Sequence, residues 1–60
     1  MYVTIFFVSG RTLTVNPDEV YFTYPDNCIL LDDMKQRKAV IQTRNIEYIR
    51  EAEKEEIESA

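Results

Sequence analysis

The chain opens on an apolar run. Residues 2–8 read Tyr-Val-Thr-Ile-Phe-Phe-Val, β-branched or aromatic throughout, and stop at Ser9-Gly10, a pair suited to a tight turn. This predicts a first strand and a hairpin into residues 11–15, where alternation sets Leu13 and Val15 on one face and Thr12 and Thr14 on the other. Asn16-Pro17-Asp18-Glu19 turns the chain, because Pro17 fixes φ and Asn16 or Asp18 can accept from nearby backbone amides. Residues 20–24 read as a third strand with Val20, Phe22 and Tyr24 on one face. Pro25-Asp26-Asn27 interrupts the pattern before a fourth strand over 28–31. A polar connection over 32–38 then leads to a fifth strand over 39–43.

The segment after Arg44 has two readings. Ile46, Ile49 and Ile57 fit one helical stripe, and residues 50–59 are rich in Glu, Ala and Lys, so a helix over about 46–58 follows from spacing and propensity. Alternatively, Glu47 and Ile49 flank Tyr48 in a β-rich pattern, and residues 46–50 close the sheet as a sixth strand. Either way the expected fold is mainly β. It is a small five- or six-stranded bent sheet that curls on itself, which limits exposed edges, with a short C-terminal helix or tail. Residues 1–50 form the β-rich domain and 51–60 the acidic helix or tail. The succession of short bent strands, the Ser9-Gly10 turn and the Arg44-Asn45-Ile46 turn before Glu47-Tyr48-Ile49 resembles the SH3-like and Sm-like small barrels. The resemblance implies an architecture that hosts many functions, and it transfers no functional residue.

Size changes the picture. A domain of 60 residues buries only about 60% of the surface its unfolded chain exposes, so it needs very good packing, a crosslink, a metal or a partner. The single cysteine, Cys28, forms no internal disulfide, and without histidine the usual soft-metal ligand sets are missing. Packing or association is left. Strand one sends apolar side chains to both faces, with Thr4 the sole exception, so something must cover the second face. The C-terminal helix or a second subunit can do so, and the shortness of the chain favours a homo-oligomer. The residues expected at that protein interface are Tyr2, Ile5, Phe6 and Phe7, joined by Ile57 from the C-terminal segment.

The net charge of −4 belongs to the tail. Residues 1–50 carry equal numbers of acidic and basic side chains, whereas the last ten set Glu51, Glu53, Glu55, Glu56 and Glu58 against Lys54 alone. Such an arm can dock in a basic groove, pair with cations of a second copy, or imitate the charge of nucleic acid. Lys35, Arg37, Lys38 and Arg44 bracket the fifth strand. They can keep a sheet edge soluble, or they can contact phosphates while Tyr21, Tyr24 and Tyr48 stack on bases. A nucleic-acid-binding small barrel is therefore the alternative function, set against an overall charge that lacks the basic footprint of such proteins.

Reactive chemistry finds little support in the residues. Asp32 and Asp33 are adjacent and so point to opposite faces of a strand, and no cation-binding loop pattern surrounds them. Cys28 opens an apolar strand with no histidine to activate it, the pattern of a buried hydrophobe. The only glycine is Gly10, so there is no glycine-rich phosphate loop. No enzyme activity, cofactor or metal is expected. Residues 1–8 lack a basic n-region and are too short to cross a bilayer, which reads as a strand rather than a signal; no membrane contact and a reducing, cytoplasmic setting follow, as suits a bacterial or phage accessory protein. The function expected from these residues is that of a non-catalytic protein-interaction module that self-associates, or an accessory or inhibitor of a larger partner.

Overall fold

A computed structural model describes residues 1–59. It contains strands β1 (Val3–Phe7), β2 (Thr12–Val15), β3 (Val20–Thr23), β4 (Asn27–Leu31), β5 (Arg37–Gln42) and β6 (Ile46–Glu51), followed by one short helix, α1 (Lys54–Ser59). The six strands make two antiparallel sheets of three, ordered β2-β1-β6 (sheet I) and β3-β4-β5 (sheet II). The expected single curled sheet is thus divided in two, and the described residues form no closed barrel. The divisions fall at two 3-10 turns, Pro17–Glu19 between β2 and β3 and Thr43–Asn45 between β5 and β6. At the first, Asn16 Oδ1 accepts from Asp18 N–H at 3.0 Å and Pro17 supplies the preset φ.

The choice at the C-terminus resolves as strand and then helix. Residues 46–51 pair with β1, placing Ile49 opposite Ile5 and Tyr48 opposite Phe6. Helical spacing of Ile46, Ile49 and Ile57 loses to this pairing because β1 offers β-branched and aromatic partners along its whole length, and cross-strand contacts outweigh weak local propensity. The helix is confined to 54–59. Its start is fixed by a capping-box contact in which Glu56 Oε1 accepts from Glu53 N–H at 2.8 Å.

Two turns need a left-handed backbone. Gly10 sits at φ 94° and its N–H donates to Phe7 O at 2.9 Å, closing the β1–β2 hairpin. In the β4–β5 turn Lys35 adopts φ 61°, and Asp32 Oδ1 accepts from Met34 N–H and Gln36 N–H, both at 2.9 Å. The core consists of Ile5, Cys28, Ile29 and Leu30, with Thr4 buried beside them. Leu13, Ile5 and Ile49 form one row across sheet I, while Cys28 shares a face of sheet II with Phe22 and Ile41, and Leu30 with Val20 and Ala39. Leu13 borders one cleft with Leu30 and another with Ile41, so these two faces are turned toward each other. Ile29 lies on the opposite face of sheet II, in a row between Tyr21 and Val40.

Candidate functional site

The second face of β1 is covered by the chain itself. Thr4 has no exposed surface and stands between Thr14 on β2 and Arg50 on β6. Its hydroxyl donates to Glu56 Oε1 at 3.0 Å, which leaves the Thr14 hydroxyl, 3.0 Å away, as donor to Thr4 Oγ1. Arg50 clamps the same carboxylate bidentately, Nη1 to Oε1 and Nη2 to Oε2, each at 2.9 Å. The guanidinium also lies 4.7 Å from the centroid of Phe6, whose ring stacks on Tyr48 at 4.5 Å. Arg50 and the Thr4 and Glu53 donors hold the Glu56 carboxyl at about 2, against an ordinary 4.5. This cluster is structural glue between α1 and sheet I, with all four of its polar side chains engaged by one another.

Sheet II exposes apolar side chains on both faces, and sheet I does so at Tyr48 and Ile49 of β6. Tyr21, Phe22 and Val40 are 43%, 55% and 51% exposed, and Tyr24, at the end of β3, is 97% exposed. Five of the six residues of β5 are exposed, so this end strand presents both its faces and its free edge. Beside β2 lies an open cleft of about 1030 Å³, with Leu13, Val15, Leu30 and Met34 among its walls and the free edge of β2 along one side.

Compared with protein-family models, curated proteins and solved structures, the chain matches none of them. No helix of the described residues is long and apolar enough to cross a membrane.

The residues expected at a protein interface are dispersed. Ile5 is fully buried in the core and has no surface to offer a partner, because it faces sheet II rather than solvent. Phe6 is half-buried under Arg50 and Tyr48, and Phe7 is half-buried at the end of β1. Tyr2 and Ile57 are 38% and 39% exposed. The basic residues do not form one knob. Lys35, Arg37 and Lys38 gather at the β4–β5 turn, while Arg44 lies past the far end of β5, roughly 20 Å along the strand direction. Asp32 accepts backbone amides within its turn while Asp33 is exposed, so the two carboxylates serve different surroundings. Cys28 is fully buried, and burial pushes its thiol upward.

Arg50 and Glu56 are the pair that sequence reasoning passes over, counting Arg50 among the charges of residues 1–50 and Glu56 as part of an acidic, solvated tail. A local signal existed: Glu53-Lys54-Glu55-Glu56 has the spacing of a helix N-terminus whose fourth residue reaches back to the first. Thr4, the one polar interruption in strand one, was the other.

Proposed function

We propose that the chain is a non-catalytic protein-interaction module that self-associates through sheet II. The observation supporting this reading is the exposure of Tyr21, Phe22 and Val40 on a sheet whose edge strand β5 is uncovered, in a chain whose helix docks on the other sheet at Thr4 and Arg50. Tyr21 and Val40 flank Ile29 on the outward face of sheet II while Phe22 lies on its other face, and exposed apolar side chains shared by one face are a mark of a protein contact. The interface thereby moves from strand one to sheet II. Charge is uneven along the chain, carboxylates predominating on α1 and Lys35, Arg37 and Lys38 following Asp32 and Asp33 at the β4–β5 turn, and such unevenness would orient one copy against another. An accessory or inhibitory part in a larger assembly suits a module of this kind.

Light scattering after size exclusion tests the reading. The full chain is expected as a dimer or larger, and Val40→Lys as a smaller species with an unchanged circular dichroism spectrum; equal masses for the two chains would remove sheet II from the interface.

Nucleic-acid contact through Lys35, Arg37, Lys38 and Arg44 is the second reading, favoured by the lack of any carboxylate between Asp33 and Glu47. It demands oligonucleotide binding that weakens steeply with salt and disappears in Arg37→Glu/Lys38→Glu.

A further inference from the structure

Resting on the self-association reading, we infer that the cleft beside β2 receives the β5 edge of a second copy, so that β2 of one chain and β5 of the next join edge to edge. Both strands are end strands of their sheets, each with one edge unpaired. Such an edge is a row of backbone donors and acceptors suited to strand addition. The cleft along β2 is open and about 1030 Å³, larger than most small-molecule sites, and its wall is a strand edge rather than a closed pocket. An extended segment is the natural occupant.

Charge selects which segment. Glu19, Asp33 and Glu55 line the cleft, and among the described residues none of the three carboxylates is in an ion pair; Lys38 is the one cation on its border. The occupant should therefore be an extended, cationic strand with an apolar centre. β5 has that composition, Arg37-Lys38-Ala39-Val40-Ile41-Gln42, within a stretch free of carboxylates from Met34 to Ile46. Val40 is half exposed and supplies the apolar contact, while Arg37 and Lys38 reach the carboxylate rim. The acidic segment of the second copy is no competitor. Its α1 is held on sheet I by the Arg50–Glu56 clamp, and its charge repeats that of the cleft. Lys38 stands at the border of the cleft in its own chain, so the two complementary surfaces adjoin, and a twofold axis can satisfy both at once.

Charge exchange between two variants tests the pairing. Asp33→Lys/Glu55→Lys reverses two of the carboxylates on the cleft rim, and Arg37→Glu/Lys38→Glu makes the strand acidic; all four positions are exposed, so each variant should keep the parent's circular dichroism spectrum. Each variant alone should associate at least about a hundredfold more weakly than the parent, because like charges then face each other. An equimolar mixture should regain the parent's mass, read by native mass spectrometry as a species containing both chains. Single variants that keep the parent's assembly, or a mixture of folded variants that stays apart, would overturn the β2–β5 pairing while leaving self-association through another part of sheet II standing. A parent that is itself monomeric would overturn both.

Discussion

Glu56 accepts four hydrogen bonds, two from Arg50 and one each from Thr4 and the Glu53 amide, and its pKa of about 2 is the thermodynamic expression of that environment. Because the folded value lies below the unfolded 4.5, the unfolded chain takes up the proton first as pH falls. The contribution to stability is complete above about pH 5 and is lost as pH falls toward 2. Melting temperature should therefore drop across that window, and Glu56→Gln should flatten part of the drop while lowering stability at neutral pH. Gly10 makes a different prediction. An added Cβ would meet nothing within 4 Å, so Gly10→Ala tests the backbone alone and should cost about 1–2 kcal/mol, seen as a melting temperature lower by several degrees. Cys28 should resist thiol reagents until the chain unfolds, and Cys28→Ser should cost about 1–3 kcal/mol by placing a hydroxyl in an apolar site. Labelling that runs ahead of unfolding would contradict the burial of this thiol.

At the scale of elements, the first five strands were legible because each is short, alternating or continuously apolar, and bounded by a turn with its own chemistry: Gly10, Asn16-Pro17, Pro25 and Asp32. β6 was ambiguous because Ile46, Ile49 and Ile57 satisfy a helical period, and only its pairing with a strand more than forty residues earlier decides the matter. The docking of α1 was illegible for the same reason, since Thr4 and Glu56 meet across 52 positions. Ile5 is an interface candidate from sequence because alternation gives the two faces of β1 without saying which one sheet II covers. The helix makes an element-scale prediction: ending the chain after Ala52 removes the carboxylate that Thr4 and Arg50 hold. The truncated chain should melt below the parent at pH 7, with the gap narrowing toward pH 2 as Glu56 is protonated in the parent. A gap independent of pH would show that Glu56 is not what anchors the helix.

At the scale of the whole molecule, the described residues bury four apolar side chains and leave Tyr21, Phe22, Val40 and Tyr24 in solvent. So small a core is poorly matched to that exposed apolar surface, and the proposed association with a second copy would relieve the mismatch by burying part of it. The apolar excess of strand one leads the sequence reading to expect a partner there, since the chain's own cover over one face of that strand, built from Arg50, Tyr48 and Glu56, depends on contacts between distant residues. Sedimentation equilibrium of the full chain over a wide concentration range tests the central claim most directly. The account predicts a mass at or above that of a dimer that declines on dilution; a monomer mass at every concentration would contradict it.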